Sequence, residues 1–83
     1  MDKLIYAVLS GSRDASIKFS DIRRLMGFLG FREWIRGDHF IYTKQDVDEI
    51  LNLQPNGSEA KPYQIKQIRR IIVKYGLGGS LDV

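Results

Sequence analysis

Apolar residues recur along this chain in two rhythms, one helical and one of strands. Over Asp2–Ser10, Leu4, Ile5, Val8 and Leu9 fall at i, i+1, i+4 and i+5, which predicts a helix. Asp2 is placed to cap its start and Gly11 to close its end. The polar stretch Gly11–Ser16 reads as a loop. A second helix is expected from Ser20, whose hydroxyl can accept a first-turn N–H, with Asp21 favourable at the same end. Ile22, Leu25, Met26 and Leu29 form its apolar stripe, and Gly30 stops it. Gly27 inside this helix costs up to about 1 kcal/mol against Ala, and implies either close packing or simple tolerance.

The period then changes to two. Phe31–Arg36 is rich in aromatic and branched residues, and Gly37-Asp38 suits a two-residue II′ turn. His39–Thr43 continues the hairpin, with His39, Ile41 and Thr43 on one face and Phe40 and Tyr42 on the other. Lys44–Asp48 reads as a polar connection, and Glu49–Gln54 as a third strand ended by Pro55-Asn56-Gly57. Asn56–Lys61 is expected to be a flexible loop. A last helix spans Tyr63–Tyr75, with Ile65, Ile68, Ile72 and Tyr75 on one stripe and Gly76 at its end. Leu77–Val83 is expected to fray. The order α-α-β-β-β-α predicts an α+β domain over residues 1–83, with helices on one face of a three-stranded antiparallel sheet.

Composition narrows the function classes. The 83 residues contain no cysteine, which excludes disulfides, zinc fingers and thiol catalysis. The longest apolar run, Leu4–Leu9, is far short of the ~20 residues that span a bilayer, so a cytoplasmic domain without a membrane partner is expected. The net charge of +3 matters less than its distribution. Residues 38–60 set Lys44 alone against Asp38, Asp46, Asp48, Glu49 and Glu59, whereas residues 61–75 carry Lys61, Lys66, Arg69, Arg70 and Lys74 without an acid. Such a chain can meet a polyanion with one face and a basic partner with another, or simply present solvated helix faces.

Three features bear on chemistry. His39, the single histidine, starts a strand beside a glycine turn. It is either an ordinary strand histidine or a general acid–base group able to act on a ribose 2′-OH and a leaving 5′-oxygen without a metal. Asp46, Asp48 and Glu49 lack the spacing and glycine-aided turn of a Ca²⁺ or Mg²⁺ loop and read as acidic surface, so no metal is expected. No phosphate-binding glycine loop or dinucleotide fingerprint is present, and no cofactor is expected. Finally, Lys66, Arg69, Arg70 and Lys74 lie at i, i+3, i+4 and i+8, opposite the isoleucine stripe, with Lys61 near the helix start. Together they form either a solvated ridge or a row of phosphate contacts suited to double-stranded RNA.

Taken in order, Gly30-Phe31-Arg32-Glu33-Trp34-Ile35-Arg36-Gly37-Asp38-His39-Phe40-Ile41-Tyr42, then Leu51–Pro55, then Lys61-Pro62-Tyr63-Gln64-Ile65-Lys66-Gln67-Ile68-Arg69, resemble the HicA toxins of bacterial type II toxin–antitoxin systems. The likeness runs over about residues 3–77. It implies a double-stranded RNA-binding-domain-like α-β-β-β-α core over residues 20–75, with Asp2–Ser10 an added helix. It also implies a metal-independent mRNA interferase, an endoribonuclease with His39 as its catalytic residue, presented by the Gly37-Asp38 turn. Lys61, Lys66, Arg69, Arg70 and Lys74 would then bind RNA. A HicB-like antitoxin would cover the site within a higher-order toxin–antitoxin complex. One residue departs from the family pattern, because Asp38 stands where a serine is usual and sets a negative charge beside the phosphate path. Two rivals share these features: a non-catalytic RNA-binding module of the same fold, and an antitoxin-binding interaction domain without nuclease activity.

Overall fold

The computed structural model describes residues 1–78. Helix α1 spans Asp2–Ser10 and buries Ile5, Ala7 and Val8. Met1 rather than Asp2 occupies its cap position, and Asp2 contributes only its charge to the first turn. Helix α2 spans Phe19–Phe28 and buries Phe19, Ile22, Leu25 and Met26. It begins one residue before the expected serine. Lys18 is the cap, and Ser20 lies inside the helix without a capping bond. The start is instead held from outside, where the Phe19 N–H donates to Ser58 O at 2.9 Å.

The end of α2 sets up the sheet. Gly30 takes φ +91°, its N–H donates to Gly27 O, and the Phe31 N–H donates back to Met26 O, both at 3.0 Å. This paired closure needs a left-handed residue, which glycine supplies cheaply, and it buries Phe31 as the chain turns into the first strand. Gly27 faces open space, so tolerance and not close packing explains it.

Strands β1 (Arg32–Arg36), β2 (His39–Lys44) and β3 (Val47–Leu53) form an antiparallel meander in the order β1-β2-β3. Gly37 sits at φ +62° and Asp38 stays out of the left-handed region, the pattern expected of a II′ turn between the paired Arg36 and His39. The expected connection Lys44–Asp48 shrinks to Gln45-Asp46, because Lys44 and Val47 pair across it. Asp46 provides the positive φ of 70° that aspartate tolerates better than most residues. The expected flexible loop Asn56–Lys61 is also corrected. Asn56 and Glu59 exchange backbone bonds at 2.9 and 3.1 Å, the Ala60 N–H donates to Ile17 O at 2.8 Å, and Ala60 is buried.

Helix α3 (Pro62–Tyr75) starts with a proline, whose missing N–H costs nothing in the first turn, and buries Gln64, Ile65, Ile68, Ile71 and Ile72. The tail is not frayed at its start. Leu77 donates its N–H to Ile72 O at 3.0 Å and packs on the core; the remainder of that expectation, residues 79–83, lies outside the described residues. The buried faces of all three helices join Tyr42, Leu51 and Leu53 from one face of the sheet in a single core, with Phe40 packed against it and α1 lying on α2 and α3. No helix is long and apolar enough to cross a membrane among the described residues.

Two polar ties clamp this layer. Arg69 of α3 reaches Asp14 through two bonds of 3.0 and 2.9 Å and donates to Val8 O at 2.8 Å, joining α3 to the end of α1 and its loop. Arg23 of α2 forks onto Glu33 of β1 at 3.1 and 3.0 Å, while the Tyr42 hydroxyl donates to the same carboxylate at 2.6 Å. Burial, and then the Glu33 carboxylate, push the Tyr42 phenol far up, whereas Arg23 holds Glu33 below its ordinary range. Asp14 is likewise held down, chiefly by its bonds to Arg69.

Asp14→Ala is therefore expected to lower stability by about 1–2 kcal/mol in urea unfolding, since it strands a largely covered guanidinium. Arg69→Lys should lose part of that amount, because an ammonium cannot fork. Both depressed carboxyls contribute fully above the ordinary carboxylate range and lose that contribution as pH falls through their lowered values. The wild-type advantage over Asp14→Ala should thus vanish in acid and be complete at neutrality.

Candidate functional site

Alternation along β2 sends Phe40 and Tyr42 into the core and leaves His39, Ile41 and Thr43 on the opposite face. Antiparallel register then brings β3 beside them. Leu51 pairs with Tyr42 and Leu53 with Phe40, so Asn52 and Gln54 alternate onto the histidine's side. At this end of the sheet the His39 ring is half exposed, and its Nδ1 lies 3.1 Å from Asn52 Oδ1. An amide oxygen accepts only, so this contact selects the tautomer with Nδ1–H and leaves Nε2 with its lone pair. Nε2 lies 3.7 Å from Asp38 Oδ1, too long for a hydrogen bond.

Asp38 is itself held. Gln54 Nε2 donates to its Oδ2 at 2.7 Å, and Lys61 Nζ approaches Gln54 Oε1 at 3.5 Å. The Gln54 amide, with a smaller contribution from the Lys61 charge, keeps the Asp38 carboxyl below its ordinary range. Gln54 is anchored in turn by buried Gln64. The Gln64 amide, oriented by its partners, donates to Gln54 O and accepts from the Gln54 N–H, each at 3.1 Å. A polar relay thus runs from the start of α3 through Gln64 and Gln54 to the turn that presents His39.

Of the residues expected at a site, Gly37, Asp38, His39 and Lys61 come together here. The helix residues do not join them. Lys66, Arg69, Arg70 and Lys74 line a shallow groove along α3 with Val73 and share no hydrogen bond or ion pair with the His39 cluster. Two of the four are already engaged. Arg69 is bound to Asp14, and Lys74 donates to Glu49 at 2.8 Å, leaving Lys66 and Arg70 without an ion pair among the described residues. Lys74, assisted by the Tyr75 hydroxyl, holds the Glu49 carboxyl down at about 2. Glu49 is thereby separated in role from Asp46, which shapes a turn, and no three His, Cys, Asp or Glu side chains converge among the described residues.

Asn52 and Gln54 are the site residues that the motif pattern passed over. A signal for them existed in the alternation Leu51, Leu53 against Asn52, Gln54, once read through the antiparallel register with His39. Gln64 carried none, because a glutamine beside a helical isoleucine stripe reads as surface until its strand partner is known. Compared with known proteins, the chain matches no family model, no curated protein and no solved structure.

If Asn52 sets the ring tautomer, Asn52→Leu should raise the fraction of neutral His39 carrying its proton on Nε2. The ¹⁵N shifts of the two ring nitrogens, measured at a pH where the ring is neutral, report this directly. Unchanged shifts would remove Asn52 from the site.

Proposed function

We propose that this chain is a metal-independent endoribonuclease that cleaves mRNA in the cytoplasm, a toxin of the HicA kind restrained by a HicB-like antitoxin. The single observation that carries the reading is His39 itself: a half-exposed imidazole at a strand end, its Nδ1–H bonded to Asn52 and its Nε2 engaged in no hydrogen bond among the described residues. In the cleavage step Nε2 takes the proton of a ribose 2′-OH as that oxygen attacks the adjacent phosphorus. The P–O5′ bond breaks, and the same ring returns the proton to the departing 5′-oxygen. Arg36, paired across the turn from His39, and Lys61 supply positive charge near the scissile phosphate. The order of three helices and a three-stranded antiparallel sheet is compatible with a double-stranded RNA-binding-domain-like core preceded by one helix.

One observation favours the second reading, an RNA-binding module without catalysis. The Asp38 carboxylate stands 3.7 Å from Nε2, where it repels a phosphate drawn to the ring. Asp38→Ser removes that charge, and we expect tighter RNA binding and faster cleavage.

Induced expression of wild type and His39→Ala in a bacterial host, with growth and RNA integrity followed, separates the two readings. Growth arrest and RNA loss are expected for the wild type alone, with His39→Ala folded to within ~0.5–1 kcal/mol because the ring contributes little to the core. In vitro, excess EDTA should leave cleavage unchanged. Equal toxicity of both proteins would remove His39 from the reaction, and activity restored by Mg²⁺ after chelation would remove the histidine mechanism.

A further inference from the structure

The side of the sheet opposite the helices is open, and its residues are not those of an idle surface. Across it lie three registered rows: Arg32 opposite Thr43, Trp34 opposite Ile41 and then Asn52, and Arg36 opposite His39. Trp34 is 44% exposed and Ile50, on the same face of β3, is 68% exposed. The middle of the sheet is therefore an apolar platform wet by solvent. The Arg32 guanidinium stacks over the Trp34 ring at 5.0 Å, and neither Arg32 nor Arg36 makes an ion pair with the described residues. Of the strand positions that share this face, only Asp48, at the far end of β3, is acidic.

We infer that this face binds an unpaired RNA strand, with a nucleobase stacked on Trp34 and neighbouring phosphates on Arg32 and Arg36, so that the backbone is led to His39. The inference rests on the nuclease reading and specifies its substrate as single-stranded. The physical reason is access to a base's flat face. In a duplex those faces are covered by neighbouring base pairs and only edges remain for an indole, whereas an unpaired base can lie on the ring. Cations at i−2 and i+2 of the tryptophan stand on its own side of the sheet, where the flanking phosphates of a stacked nucleotide run. The α3 ridge offers less to a duplex than its sequence implies, because Asp14 and Glu49 already neutralise Arg69 and Lys74.

Trp34 is the only tryptophan of the chain, so its emission reports on this face alone. The full chain is titrated with single-stranded 2′-O-methyl oligouridylate, which lacks a free 2′-OH and survives cleavage, and with a 2′-O-methyl duplex of the same length. Quenching by the single strand at concentrations at least tenfold below the duplex is expected. Binding of a labelled single strand, followed by anisotropy, should weaken about tenfold in Trp34→Leu, in line with the loss of one stacked base. The doubly substituted Arg32→Gln, Arg36→Gln chain, which keeps the platform, should reduce the salt slope by about 1.4. Circular dichroism checks that each variant is folded.

Equal affinity for the duplex, or a salt slope that falls only with Lys66→Gln and Arg70→Gln, would overturn the proposal. So would emission that ignores RNA but shifts with protein concentration, which marks the face as a contact between copies. Quenching without cleavage by the wild type would support the platform and remove the nuclease. Cleavage that needs His39 but is indifferent to Trp34→Leu would leave the nuclease standing and remove the platform.

Discussion

With all three helices on one side of a three-stranded sheet, every strand residue must choose between a dry face and a wet one. Tyr42, Leu51 and Leu53 take the dry side, and alternation leaves their neighbours no freedom. His39, Ile41, Asn52 and Trp34 share the wet side for that reason. A slip of one residue in β2 would bury the histidine and expose Tyr42, so register protects the core and assembles the site at once. The II′ turn at Gly37 and the tight turn at Asp46 pin that register from both ends of the hairpins.

The division of charges follows the same geometry. Arg23 and Arg69 face acids from neighbouring elements across the helical layer, where partial burial makes an unpaired guanidinium costly. Their service is structural: one ties α2 to β1, the other α3 to α1. Lys74 and Glu49 close a third such contact between α3 and β3. Among the described residues, the cations without acidic partners include Arg32 and Arg36 on the open face and Lys66 and Arg70 on the helix. A basic helix therefore overstates what is available to a polyanion, and Arg36, paired with His39 across the turn, is a cation that the helix does not include.

Element type was readable from the residues, because a helical stripe such as Ile22, Leu25, Met26, Leu29 and the alternation of β2 have no competing period. Starts were less readable. Both Asp2 and Ser20 have the side chain of a cap, yet Met1 and Lys18 hold those positions, and the start of α2 is fastened by Ser58, 39 positions further on. The same bonds turned an apparently free loop at Asn56–Lys61 into a fixed one. Local propensity cannot announce a partner so distant in the chain. His39, Gly37 and Asp38 were visible as a motif, whereas Asn52, Gln54 and Gln64 acquire a role only through strand pairing. The fates of Arg69 and Lys74 depended on Asp14 and Glu49, which nothing in the spacing of α3 reveals.

The proposed cleavage route, in which one imidazole moves a proton from the 2′-oxygen to the 5′-oxygen, leaves a chemical signature on its product. The most direct measurement is mass analysis of the ends formed when the purified wild-type chain cuts a defined RNA in the presence of EDTA. A 2′,3′-cyclic phosphate on the upstream fragment and a free 5′-hydroxyl on the downstream one are the expected result. A 3′-hydroxyl with a 5′-phosphate would show that water and not the 2′-oxygen attacked the phosphorus, and would contradict the role given to His39.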